Sequence, residues 1–166
     1  MTIHVAAPWT VLAVLWAITV GIPAAYFTLR AQRLSRVDWV SFGVLVLATL
    51  YVTIAATTAR VVADDRAITF AGWFLGSTLN VADVDFQHAV HFDAGDPNAR
   101  VRPVERTWGL GMPGYRAGTF ELANGERALV LTTTDDDVYV PTRHEPFVVN
   151  AAVYARIVAS ARTAAN

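Results

Sequence analysis

The chain has 166 residues, 54% of them hydrophobic and 16% charged, against about 45–50% and about 25% in an ordinary globular domain. It has no Cys, and all thirteen basic residues are Arg. That excludes disulfides, thiolate catalysis, cysteine metal sites, lysine Schiff bases and a phosphate loop of the GKS/GKT type. The net charge of −1 divides into +2 over residues 1–59 and −3 over residues 60–166, and a mildly acidic part without a basic stripe argues against nucleic-acid binding.

Met1–Pro8 carries no Lys or Arg and so lacks the basic start of a secretory signal. From Trp9 to about Thr28, and again from Trp39 to about Ala59, there is no charged residue. About 20 apolar residues at 1.5 Å rise cross a hydrocarbon core of about 30 Å as a helix. The expectation is a transmembrane helical hairpin over residues 1–59, with spans at about 9–28 and 39–59. Pro23-Ala24-Ala25 faintly resembles a cleavage site, but a second span follows at once. Trp9, Tyr26-Phe27 and Trp39 suit interfacial aromatic belts. Gly21 and Pro23 are expected to loosen the last turns of the first helix. Ala13, Ala17 and Gly21 fall four residues apart, a small-residue stripe that Gly43 is expected to face.

Between the spans, Arg30, Arg33 and Arg36 meet no acid before Asp38. Arginines in a short loop count most toward cytoplasmic placement. Only Arg60 and Arg66 stand close behind the second span, so the turn is expected in the cytoplasm, with both termini and the following domain outside.

After Thr58 the periodicity changes. Val61-Val62 and Ala67–Phe70 flank Asp64-Asp65 as strand, tight turn, strand, and Thr78–Phe86 alternates imperfectly. Residues 87–106 read as a loop, punctuated by Asp93, Gly95, Asp96, Pro97, Asn98 and Pro103. Tyr115–Leu122, Arg127–Thr134, Asp137–Pro141 and Phe147–Val149 read as four strands, with hairpin signals at Asn124-Gly125 and Asp135–Asp137. Asn150 is a suitable N-cap for a last helix whose Val153, Ile157 and Ala161 share a face with Tyr154 and Val158. The domain over 60–166 is therefore α+β: a curved antiparallel sheet or partly open barrel, plugged by its C-terminal helix.

The run Trp108-Gly109-Leu110-Gly111-Met112-Pro113-Gly114-Tyr115, followed by Gly118 and Phe120, resembles the motif of small bacterial pleckstrin-homology-like (PH-like) domains, as does the strand and helix order from Arg127 onward. Such domains often follow one or two membrane spans. The resemblance implies a seven-stranded bent antiparallel β-barrel closed by the C-terminal helix, and a place in a bacterial plasma membrane. It implies little about activity. The basic first hairpin of phosphoinositide-binding relatives is not matched, since Ala63-Asp64-Asp65-Arg66 offers one Arg and two acids.

The glycine-rich run is the most distinctive candidate site. Its glycines permit positive φ and close backbone approach, so main-chain N–H groups could line an anion pocket with Arg116. Its plainer reading is a bulged strand with Trp108 and Tyr115 packed on the barrel. A third reading makes Trp108, Leu110, Met112 and Tyr115 an apolar lip against lipid or a partner helix. His88 and His91, with Asp85, Asp93 and Asp96, would have to form any metal-dependent hydrolase centre, but their spacing is not diagnostic. Asp135–Asp137 lacks the spaced ligands of a calcium loop, and His144-Glu145 reads as a turn. No Gly-x-Ser-x-Gly elbow exists,. The expectation is a non-catalytic, membrane-anchored module without metal or cofactor. It would contact the lipid bilayer and a membrane or membrane-proximal protein. A small anionic-ligand sensor using residues 108–116 is the alternative, and oligomeric state stays open.

Overall fold

The computed structural model describes residues 1–30, 35–97 and 99–163; Arg33, and with it part of the expected arginine turn, lies outside them. Two long helical segments stand side by side. The first comprises α1 (Trp9–Trp16), a π-helical turn (Ala17–Gly21) and α2 (Ile22–Arg30); the second is α3 (Arg36–Thr57). Both are long and apolar enough to cross a membrane. At 1.5 Å per residue the 22 residues of α3 extend about 33 Å,. It begins before the expected Trp39 because Ser35 and Asp38 form a capping box, each side chain satisfying a backbone N–H of the first turn. Arg30 closes α2, and Arg36 opens α3.

The π-helical turn has a cause in the sequence. Pro23 has no N–H to give Thr19, and its ring crowds that carbonyl, so the helix widens just ahead of it. The loosening falls mid-helix rather than in the last turns.

The small-residue stripe does not face α3. Ala13, Ala17, Gly21 and Gly43 are all exposed, and a Cβ built on Gly43 would meet nothing within 4 Å. Instead the helices meet through larger and hydroxylated residues. The Trp16 indole donates to Thr53 Oγ1 at 2.9 Å, the Thr19 and Thr49 hydroxyls lie 3.0 Å apart, and Phe27 packs edge-on to Trp39 and tilted against Phe42.

The head has two sheets. One is antiparallel, ordered β1 (Thr2–His4), β2 (Arg60–Ala63), β3 (Ala67–Gly72), β4 (Leu75–Asn80). The other is ordered β5 (Val90–Asp93), β9 (Asp136–Val140), β10 (Phe147–Asn150), β8 (Arg127–Thr132), β7 (Tyr115–Leu122), β6 (Pro103–Met112). The expected closed antiparallel barrel does not form. β10 inserts between β8 and β9 and runs parallel to β8. Its sequence Phe-Val-Val-Asn is buried throughout, as suits a strand covered on both faces: Phe147 and Val149 enter the main core, and Val148 a second cluster with Phe120, Leu122, Ala128 and Val130. The helix α4 (Ala151–Thr163) follows and packs Val153 and Ile157 into the main core. The Ser160 hydroxyl donates to the Ala63 carbonyl of the other sheet at 3.3 Å. Asn150 spends its side chain on Thr133, Thr134 and Asp137.

β4 ends at Asn80, and two 3₁₀ turns (Val81–Asp83 and Phe86–His88) occupy the stretch expected to continue the strand. Asn80 and Asp85 side chains accept from the N–H groups of these turns, the short-range bonding by which Asx residues divert backbone from a ladder. The expected loop at 87–106 holds β5 and the start of β6.

β1 is the element that joins head to helices. It pairs with β2 from Thr2↔Val62 to His4↔Arg60, the N-terminal amine donates to the Ala63 carbonyl at 2.7 Å, and Val5 and Ala7 bond back to Ala59 and Ala56. Ile3, Val5 and Ala7 share one buried cluster with Ala55, Ala56, Ala59 and Phe70. The head thus sits on the ends of both helices through a continuous core.

Candidate functional site

The glycine-rich run folds as strand, turn and strand. β6 and β7 form a hairpin whose two-residue turn is Pro113-Gly114. Pro presets φ for the first turn position, and Gly114 supplies φ +72° at the second,. Further back, Gly109 and Gly118 are cross-strand partners with φ of +114° and +141°. A Cβ on Gly118 would lie 2.1 Å from the Trp108 carbonyl oxygen, and one on Gly109 2.2 Å from that of Ala117. The two backbones close on each other at this point, so these glycines serve the crossing of strands. The register shifts just before it, between Arg106 and Trp108.

Alternation along the hairpin decides which side chains are displayed. Leu110 and Tyr115 turn inward, 9% and 1% exposed, and Met112 packs half-buried against the same core. Burial pushes the Tyr115 phenol up to about 12, and its hydroxyl has no hydrogen-bond partner among the described residues. Leu110 and Tyr115 therefore drop out of the expected lip. Trp108 remains in it, 63% exposed.

A second hairpin tip joins Trp108. Trp73 and Phe74 form the turn between β3 and β4. The Phe74 ring packs edge-on to Trp108 at 6.0 Å, and Tyr51 of α3 packs edge-on to Trp73 at 4.9 Å and to Phe74 at 6.5 Å. Tyr51 lies six residues before the end of α3, about 9 Å down its axis. The β3–β4 tip therefore hangs beside the helix rather than above it. The β6–β7 tip does the same: a Cβ on Gly114 would sit 3.9 Å from the Val11 side chain of α1. With Trp73 56% exposed and Trp9 77% exposed, the foot of the head is an aromatic collar around the helix ends. The dipeptide Trp73-Phe74 between Gly72 and Leu75 was the available signal: two adjacent aromatics in a tight turn cannot both enter a core.

Arg116, the expected anion ligand, is engaged with acids. Its Nη1 lies 3.8 Å from Asp137 Oδ2 and 3.9 Å from Asp135 Oδ1. Asp137 is fully buried. Burial raises its carboxyl from 3.8 to about 7, against the opposing charge of Arg116, with Asp135 and Asp136 adding to the rise. Asn150 donates to its Oδ1 at 3.1 Å, and the buried Thr132 hydroxyl beside it acts in the opposite sense to burial.

The histidines separate. His88 Nδ1 meets Asp85 Oδ2 at 2.6 Å on the surface, and this contact holds the Asp85 carboxyl below its usual range. His91 sits on β5 with its ring edge-on to Tyr154. Among the described residues no three His, Asp or Glu side chains gather as a metal site. A groove of about 660 Å³ between residues 82–87 and 141–143 has its charges paired, Asp83 to Arg143 at 3.4 Å and Asp85 to the neighbouring His88. A smaller groove of about 450 Å³ opens beside the collar, lined by Thr58, Arg60, Ala71, Gly72 and Trp73.

Comparisons with protein-family models, with curated proteins and with solved structures find no match to this chain.

Proposed function

We propose that this chain is a membrane-anchored, non-catalytic module whose PH-like head is held down on the bilayer and works through lipid and protein contacts made there. The single observation that carries this reading is the aromatic collar. Trp73, Phe74 and Trp108 come from two separated hairpins, yet converge at the depth of Tyr51, and the tip beyond Trp108 reaches Val11 in the first turn of α1. Water does not favour a continuous apolar surface of this kind, whereas indole and phenol rings partition to the headgroup level. The outward faces of the two helices, with Val14, Ile18, Ile22, Val40, Val44 and Leu47 exposed, call for the same solvent. Because β1 and the helix ends share one core, the head has a set face toward the lipid. Contacts made there gain from confinement at the surface.

Trp fluorescence tests this reading directly. Variants keeping only Trp73 or only Trp108 would be placed in nanodiscs containing phospholipid brominated on the upper acyl chain. Strong quenching by bromine with weak quenching by aqueous iodide is expected. The opposite pattern at both positions would place the collar in water and overturn the reading. In this reading the residues 29–37 face the cytoplasm and the head lies outside; a side-specific reporter fused after Asn166 decides that orientation.

A further inference from the structure

We propose that the groove beside the collar is a binding site for the phosphate of an anionic phospholipid, with Arg60 as its cationic ligand. The inference rests on the head being docked at the bilayer and adds a ligand to that surface. Thr58 caps α3, and Arg60 opens β2 two residues later. The guanidinium is thus carried at the level where the apolar helix ends. Trp73 forms another wall of the groove and packs on Tyr51, which ties that wall to the lipid-facing collar. An indole at the interface and an arginine just outside it suit, in order, the upper acyl chains with glycerol and the phosphate.

Charge on this face selects the headgroup. Arg66, Arg116 and Arg143 all have carboxylates within 4 Å. Arg60 has no ion pair among the described residues. Its cross-strand neighbours on the same face are His4 on one side and Ala71 on the other, with Gly76 beyond. No carboxylate stands there to neutralise it. A guanidinium presents paired N–H donors that match phosphate oxygens. A zwitterionic headgroup would also bring an ammonium beside Arg60, so a net anionic one fits better. Free phosphate carries the same chemistry; the collar's depth favours the lipid as its source, since only a lipid phosphate is held at that height.

The full chain in nanodiscs of mixed phosphatidylglycerol and phosphatidylcholine can be released in a native mass spectrometer and its retained lipids counted. The wild type is expected to retain phosphatidylglycerol over phosphatidylcholine, and R60Q to reduce that preference by roughly fivefold, the effect of one charge near a lipid surface. R66Q, which removes an exposed arginine at the far β2–β3 turn, is expected to leave it unchanged. Equal retention by wild type and R60Q, or equal losses in R60Q and R66Q, would overturn the site. Displacement of phosphatidylglycerol by inorganic phosphate would overturn the lipid assignment. Bromine quenching of Trp73 in R60Q separates the two levels. If quenching persists while lipid preference does not depend on Arg60, the phosphate site alone fails. If quenching is absent in the wild type as well, docking of the head fails first.

Discussion

The helical hairpin and the head are built with opposite polarity. In the head, Phe70, Phe147, Val130 and Val138 are buried, and most of the described arginines and acids lie outside. In the hairpin, Val14, Ile18, Val44 and Leu47 face outward, while Thr49 is buried against Thr19. Each hydroxyl in that seam also bonds its own helix: Thr19 to the Leu15 carbonyl, Thr53 to that of Thr49, with Thr49 sharing its proton between Thr19 and Leu45. The difference teaches what specifies each region. A head in water is held by removal of apolar surface, so its shape follows from where the apolar side chains can meet. In the proposed bilayer setting, two helices gain little from apolar burial, so close packing and interhelical hydrogen bonds would choose their register.

Single methyl additions should break the contrast most sharply. In the head, Gly118→Ala drives a Cβ against a backbone oxygen at 2.1 Å, which no side-chain rotation relieves. A loss of about 3 kcal/mol or more is expected, seen as failure to give a cooperative melt in mild detergent. The same change at Gly43, where a Cβ meets open space, should shift the melting temperature hardly at all.

The joint between the regions comes next. Ile3→Ala removes a buried side chain from the strand that joins head to helices and should cost about 2–4 kcal/mol. Amide hydrogen exchange should then quicken in Arg60–Ala63, the strand it pairs with, ahead of β7 and β8.

Asp137, the one fully buried carboxyl among the described residues, gives the pH test. The Asp137 carboxyl has its folded value raised from 3.8 to about 7, so the folded state holds this proton more tightly than the unfolded one. Its contribution to stability is complete below about pH 4 and is lost as the pH rises to about 7. Asp137→Asn keeps the shape without the titration, so the decline between those limits should flatten when melts are recorded across pH.

The smallest effect belongs to the hairpin seam. Thr49→Val deletes the contact to Thr19 and should cost about 0.6–1 kcal/mol, measurable by steric trapping or denaturation in mixed micelles. A cost well above that would mean the hairpin is held more like the head than its composition suggests.

Much of this architecture is legible locally, and the boundary of legibility is physical. The capping box of Ser35 and Asp38 and the Pro23 distortion follow from chemistry within four or five residues. The β2–β3 hairpin is marked by Asp64, which accepts from Arg66 and Ala67. The β7–β8 hairpin is marked by Gly125 with φ +85°. β1 was not legible: three residues whose partners lie about 60 positions away leave no periodic signal. Only the second half of β6 was legible, as a bulged strand at Trp108; its start from Pro103 lay in a stretch whose Pro and polar residues read as loop. At the candidate surface, Trp108 could be named from sequence. Trp73 could not be joined to it, because the pair meet only through the Phe74 ring, across two sheets.

The amino-acid sequence by itself determined two apolar helices, each with a charge-free stretch long enough to span a bilayer, a β-rich remainder and a terminal amphipathic helix. These depend on length, hydropathy and turn chemistry, which act over a few residues. Only the tertiary structure decided that the small-residue stripe turns away from its neighbour, that β10 slips between β8 and β9, that Leu110 and Tyr115 face inward, and that two distant hairpin tips ring the helix ends. Facing and pairing are settled by competition among surfaces far apart in the chain, and that competition is resolved only when the whole core closes.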